Sequence, residues 1–385
     1  MMRAVAQRLE FIENYIDSVF GVDLHTKRVA SLACGVLGVM TSASLAVSII
    51  GQALAQARGK SAKHAIKQVD RFLSNQGIDV WTMFPLWIKE LAGERRKLVI
   101  AMDWTDFDAD DQTTLVFSLV TNHGRATPLL WFSVFKAELE GKRNDIEDMC
   151  LVRLKEALSD DVKATILADR GFGDAKLFGF LGKIGFEYVV RFRGDVFVTA
   201  ADGETRRAAD FVGVNGRARK LVNAEISKKN QQRVGAVVCV KAKGMKEAWH
   251  LAASDAEATA RAIINLYSRR WTIEPGFRDT KDLRFGMGLS AVRIGDPYRR
   301  DRMLLLNAVA IALLTMLGAA GEALGMDRLL KSNTVKRRVH SLFRQGCLYY
   351  DAIPNMPELT LRPLMERFQS LFAENKVTDA IFRVV

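Results

Sequence analysis

Apolar positions recur at helical spacing through the first 95 residues, and no proline interrupts them before Pro85. The pattern predicts helices. Residues 59–75 divide into two faces: Lys60, Lys63, His64, Lys67 and Arg71 on one, and Ala62, Ile66, Val69 and Leu73 on the other. A basic helical face can track a phosphate backbone; a solvated surface helix would show the same stripe. The texture changes near Arg96. Residues 97–103 form a short apolar run ending in Asp103, which suits a buried strand. Residues 113–120 predict a second strand, Asn122-His-Gly124 a turn, and residues 126–135 a third strand. Helical periodicity follows over 144–158. Residues 164–169 are another apolar run closed by an aspartate, and turn-prone Arg170-Gly-Phe-Gly173 comes next. Residues 174–184 predict a helix and 188–192 a strand. Residues 194–253 read as a β-rich insertion, with runs such as 235–240 between polar, basic connections. Helical character returns at Asp255 and persists to about Met326. This order predicts an α/β protein with a mixed sheet flanked by helices.

Composition changes the picture in three ways. Lys and Arg outnumber Asp and Glu by 56 to 44, a formal net charge of +12, which favours a polyanionic partner. A merely basic soluble protein would show the same excess. The four cysteines, Cys34, Cys150, Cys239 and Cys347, stand far apart among apolar neighbours. They predict small core residues rather than a zinc site or disulfide framework, in keeping with a reducing cytosol. Two uncharged stretches, 29–57 and 303–321, are long enough to cross a membrane. Basic residues flank the first on both sides, and both are expected to be buried helices; no membrane partner is predicted. No cleavable signal is evident, because the first 20 residues carry five charges: Arg3, Arg8, Glu10, Glu13 and Asp17.

Asp103 and Asp169 share a context. Each is the charge at the edge of an otherwise buried run, where a carboxylate is costly unless a cation, a donor or solvent compensates it. Adjacent strands would bring the two together, and a divalent cation would relieve their repulsion. Taken singly, either aspartate could equally cap a turn. A third carboxylate lies in residues 266–281. On one helix, Tyr267, Arg270, Glu274 and Lys281 would share an arc of about 60° at ~3.6 residues per turn. A phenol, a guanidinium, a carboxylate and an ammonium on one stripe suit a phosphate-and-metal site. Pro275 predicts a kink or restart of that helix.

The spacing of Tyr267, Arg270, Glu274 and Lys281 resembles the Y-R-E-K signature of the DDE transposases of the insertion-sequence-four family. Ala101-Met-Asp103-Trp-Thr and Ala168-Asp169-Arg-Gly-Phe172 look like that family's other two acidic motifs, in the right order. The resemblance spans roughly residues 25–350. It implies a ribonuclease-H-like catalytic domain over 96–193 and 254–326, interrupted by the β-rich insertion 194–253. A helical DNA-binding region (1–95) precedes it, with Lys60, Lys63, Lys67 and Arg71 as candidate contacts, and a C-terminal region (327–385) follows. It also implies that Asp103, Asp169 and Glu274 ligate two Mg²⁺ or Mn²⁺ ions, and that Tyr267, Arg270 and Lys281 contact phosphates near a transposon end. Oxygen-only ligands suit Mg²⁺, and paired ions about 3.5–4 Å apart can serve both sides of an in-line phosphoryl displacement. Trp249 looks like the tryptophan on which some family members hold a flipped base; a core strand residue would look the same.

The activity implied is cut-and-paste transposition on double-stranded DNA, with two copies of the chain pairing the ends, in the cytoplasm at the nucleoid. A catalytically silent DNA-binding regulator and a nuclease that never joins ends are the alternatives. Among other features, no His pair has metal-ligand spacing and no P-loop is present. The acidic run Asp106, Asp108, Asp110, Asp111 predicts a solvated loop. The clusters Arg299, Arg300, Arg302 and Lys336-Arg-Arg338 predict DNA contact or solvation.

Overall fold

The structure is a computed structural model that describes residues 2–213 and 215–373. The end of the 327–385 region therefore lies outside the described residues. Five helices open the chain: α1 (Met2–Phe20), α2 (Thr26–Ser42), α3 (Val47–Arg58), α4 (Ala62–Leu73) and α5 (Val80–Ala92). The apolar stretch 29–57 is not one helix. α2 ends at Ala43 in the left-handed region (φ 46), and α3 leaves at 96° to it. α3 ends at Gly59, whose φ of +60 favours a residue without a side chain, and Lys60 and Ser61 complete the turn into α4. α3 and α4 touch closely: a Cβ on Gly51 would meet the backbone of Ile66.

The sheet begins with β1 (Lys97–Phe107), β2 (Gln112–Val120) and β3 (Ala126–Phe135), an antiparallel meander. α6 (Arg143–Glu156) crosses to β4 (Lys163–Ala168), and α7 (Ala175–Lys183) to β5 (Glu187–Phe192). β4 runs parallel to β1, and β5 parallel to β4. The next segment holds short strands: β6 (Phe197–Thr199), β7 (Thr205–Arg207), β8 (Arg219–Val222), β9 (Glu225–Ile226), β10 (Gln232–Arg233), β11 (Ala236–Val240) and β12 (Trp249–Ala253). β8, β11 and β12 extend the main sheet, giving the order β3-β2-β1-β4-β5-β12-β11-β8; β10-β9-β6-β7 form a small second sheet.

Alternation along the strands sorts the two faces. Ile100, Met102, Ile166, Ala168 and Val190 point into the large core with residues of α6 and α7, such as Leu151 and Phe178. Val99, Ala101, Leu167, Val189 and Leu251 point the other way, against α8 (Ala260–Ser268) and α9 (Ile273–Lys281). A long helix, α10 (Pro297–Ala323), follows, and then α11 (Leu342–Ala352) and α12 (Glu358–Ala373). α10 is long and apolar enough to cross a membrane, but 89% of that window is buried against the rest of the protein. It packs on α2, α11, α12 and β3. All four cysteines are buried and free, as their apolar surroundings predict.

Two charged clusters differ from expectation. Asp110 is not solvated: its carboxylate accepts from Arg300 Nη2 at 2.6 Å and from the backbone of Ile294 at 3.0 Å. Arg300 has no exposed surface, Arg302 donates to the carbonyls of Leu73 and Ile78, and Arg299 pairs with Asp70. The 299–302 arginines therefore tie α10 to the β1–β2 turn and to α4; Arg300 and Arg302 are buried, and Arg299 is paired at the surface.

Candidate active site

β1 pairs with β4 through Met102 and Ala168, and β4 with β5 through Ala168 and Val190. One residue further on, Asp103, Asp169 and Arg191 leave three neighbouring parallel strands in a row. Parity places all three on the face that α8 and α9 cover. Asp103 does not end its strand. β4 stops there, but β1 continues to Phe107 because β2 keeps pairing with it. Asp169 does end β4, and it also caps the turn after it, with Oδ1 accepting from Gly171 N at 2.7 Å.

The third acid arrives on a broken helix. α8 stops at Ser268, a tight turn spans Arg269–Thr272, and α9 restarts at Ile273. Pro275 then lies in the first turn of α9, where backbone N–H groups have no helical partner, so its missing donor costs little. Glu274 also sits in that first turn, where the helix dipole favours a carboxylate. The break swings Arg270 inward. It is 6% exposed, and Nη1 donates to Asp103 Oδ2 at 3.1 Å while Nη2 lies 3.8 Å from Glu274 Oε1. One guanidinium thus spans two of the three acids.

Burial lifts the Asp103 carboxyl to about 6; Arg270 opposes this, and Asp169 and Glu274 add to it. Tyr267 is 2% exposed, in edge-to-face contact with Trp249 (centroids 5.0 Å apart), and its hydroxyl is hydrogen-bonded with Arg270. Burial raises its pKa. Trp249 is half-buried on β12, in the main sheet. Lys281 Nζ donates to Thr105 Oγ1 at 3.1 Å and to the Asp106 carbonyl at 2.6 Å, and burial lowers its pKa. The structure therefore gathers Asp103, Asp169, Glu274, Tyr267, Arg270, Lys281 and Trp249 around one end of β1 and β4. Tyr267 and Trp249 face each other within the protein rather than solvent.

Lys63, Lys67 and Arg71 are exposed on α4, and Lys60 is exposed in the turn before it. Ala65, Val69, Phe72 and Leu73 form the buried side; Ala62 is exposed and Ile66 half-buried. Among the described residues, none of these four cations joins an ion pair.

Among the described residues, no three His, Cys, Asp or Glu side chains lie close enough together to hold one metal ion. Arg270 stands between the acids instead. The donor chemistry still fits a hard divalent cation. All ligands would be carboxylate oxygens, two project from adjacent strands, and burial makes an ionised Asp103 costly unless a cation compensates it.

Sequence reasoning missed Arg191, Arg170 and Glu247. Arg191 Nη2 donates to Glu247 Oε2 at 2.7 Å, and Arg170 Nη1 to the same oxygen at 3.0 Å. Arg191 could have been found by the rule that picked out the aspartates, since it is a charge near the end of the buried run of β5.

A three-stranded meander, a parallel β1–β4–β5 centre and acids side by side on β1 and at the end of β4 are compatible with a ribonuclease-H-like nucleic-acid enzyme. Residues 94–313, more than half of the chain, match the transposase DDE domain family, and the chain belongs to that family. No match was found among curated proteins. The protein is thus a transposase of the DDE class, whose members generally work with divalent metal ions.

Proposed function

We propose that the protein carries out cut-and-paste transposition, nicking, releasing and inserting DNA by successive phosphoryl transfers at one site. The observation that supports this reading best is the row of Asp103 and Asp169 on adjacent strands, with Glu274 tied to it through Arg270. Asp103, Asp169 and Glu274 would hold the ions, two Mg²⁺ or Mn²⁺. Bound there, the ions would supply Lewis acidity and lower the pKa of an attacking water or 3′-hydroxyl. The chain's own side chains do the rest. Arg270, once released from Asp103, offers a planar fork for phosphate oxygens. Lys281 is a point charge two residues further along β1, at Thr105. Tyr267 orients Arg270 through its hydroxyl. Trp249 contributes an indole beside that pair, the proposed seat for an unstacked base.

The exposed stripe Lys60, Lys63, Lys67 and Arg71 is the proposed contact with transposon-end DNA, with the N-terminal helices as the end-recognition region. Pairing two ends calls for two copies, so a DNA-bound homodimer is the proposed working form, in the cytoplasm at the nucleoid. The membership named by the Y-R-E-K spacing, the insertion-sequence-four family, belongs to the same proposal.

The test is cleavage of DNA carrying the element's ends by purified protein with Mn²⁺, followed by joining of pre-cut ends to a target. Asp103→Asn, Asp169→Asn and Glu274→Gln should each abolish cleavage and leave DNA binding intact. Binding without cleavage by the unaltered protein would favour a silent regulator, and cleavage without joining a nuclease. Near-normal cleavage by any one variant would remove that residue from the site.

A further inference from the structure

Beside Lys281, three arginines flank the acids, and among the described residues only Arg270 of the three pairs with them. The other two, Arg170 and Arg191, converge on one oxygen. Glu247 Oε2 accepts from Arg191 Nη2 at 2.7 Å and from Arg170 Nη1 at 3.0 Å, and Arg191 Nη2 also donates to the Ala248 carbonyl at 3.2 Å. Glu247 belongs to the 241–248 loop between β11 and β12. The loop's other charges, Lys241, Lys243 and Lys246, are all exposed, and among the described residues none forms an ion pair. A single acid therefore pins an otherwise basic loop beside the catalytic row.

The electrostatics around that acid are unbalanced. Two guanidiniums face one carboxylate, and the Arg191 Nε is buried without a hydrogen-bond partner. Two arginine forks meeting at one anionic oxygen are the arrangement by which proteins grip a phosphate. A phosphodiester carries the same single negative charge as Glu247 and presents more acceptor oxygens. Replacing one by the other would leave the net charge of the cluster unchanged and add acceptors for the idle Nε–H.

We propose that Arg170 and Arg191 form a DNA-phosphate site in register with Asp169, and that Glu247 occupies it in the DNA-free protein as a displaceable stand-in. A backbone phosphate expels Glu247, and the freed loop lays Lys241, Lys243 and Lys246 along the same strand. The identity of the polyanion as DNA rests on the transposase reading; the anion site itself does not. Glu247 is half-exposed in both ion pairs, with a side-chain exposure of 55%, so it competes only modestly.

The experiment uses the full chain without metal, so that binding is read apart from cleavage. Fluorescence anisotropy with a labelled random-sequence duplex should show Glu247→Gln binding about threefold to tenfold more tightly than the unaltered protein. Asp160→Asn, an exposed acid in the α6–β4 turn with the same charge change, is the control and should move affinity less than twofold. In the Arg170→Ala background, Glu247→Gln should yield no gain. In parallel, inorganic phosphate should raise the melting temperature of Glu247→Gln more than that of the unaltered protein. Equal gains from Glu247→Gln and Asp160→Asn, or a full gain surviving in Arg170→Ala, would overturn the proposal. A phosphate response in Glu247→Gln with no DNA binding by any variant would sustain the anion site and sink the DNA reading.

Discussion

Replacing Arg270 with Gln should turn the pH dependence of stability into a direct readout of the carboxylate cluster. Asp103 is mostly buried, beside Asp169 and Glu274, and Arg270 is the cation bonded to it. At an effective dielectric constant of about 20 and a charge separation of about 4 Å, that pair is worth about 4 kcal/mol. Without the guanidinium, the Asp103 carboxyl should rise by roughly three further units. In the unaltered protein its folded value, about 6, already exceeds the unfolded 3.8. A raised carboxyl stabilises the fold fully below the unfolded pKa, and that contribution is lost as pH rises through the folded one. In the unaltered protein the loss ends near pH 6. In Arg270→Gln it continues toward pH 9, at about 1.4 kcal/mol per pH unit. The variant should therefore lose roughly 3 kcal/mol between pH 6 and 8 that the unaltered protein keeps. Urea unfolding in metal-free buffer at a series of pH values measures this. Parallel stability curves for the two proteins above pH 6 would refute the coupling of Arg270 to Asp103.

Three further outcomes follow from the same contacts. Tyr267→Phe should slow cleavage, because Arg270 loses a hydrogen bond worth about 1 kcal/mol, yet leave DNA affinity unchanged because the hydroxyl is buried; a parallel fall in affinity by anisotropy would mean that it meets phosphate directly. Reversing Lys63 and Lys67 to Glu should weaken duplex binding uniformly across sequences and flatten its salt dependence, and unchanged binding would make the α4 stripe an ordinary solvated face. Arg300→Ala should cost about 3–5 kcal/mol in urea unfolding, because it removes the buried cation from Asp110 and leaves that carboxylate to the Ile294 N–H and the more distant, exposed Arg293; a loss under about 1 kcal/mol would show that these partners or water suffice.

Strands in the meander were legible because they are long and apolar, and β2 and β3 lie within a residue of where the pattern places them. The acids were legible because a charge at the edge of a buried run is conspicuous. The helix break was half legible: Pro275 signals it, but the chain leaves α-helical geometry six residues earlier, at Arg269, since proline is accommodated in a first turn and not at a kink. Pairings between distant segments were not legible. Nothing in the run Asp106 to Asp111 announces that Asp110 meets Arg300, because the partner comes 190 residues later. Nor does Glu247, in a lysine-rich loop, advertise Arg170 and Arg191. Side-chain period identifies a face, but partners on that face come from tertiary packing.

Strand register is what makes this site more than a set of acids. A one-residue slip of β4 against β1 would turn Asp169 into the large core and bring an apolar side chain to Asp103. The residues that prevent the slip stand on the opposite face: Ile100, Met102, Ile166, Ala168 and Val190 have no exposed surface, and a slip of β4 would carry Ile166 and Ala168 away from the other three and onto the polar face. The acid-bearing face is therefore positioned from behind, by side chains on the other side of the sheet. This separates two roles that are easily confused. Arg270, between the acids, does not set the spacing of the strands; the core that does set it would be indifferent to whether Arg270 or a metal ion stood in front of it.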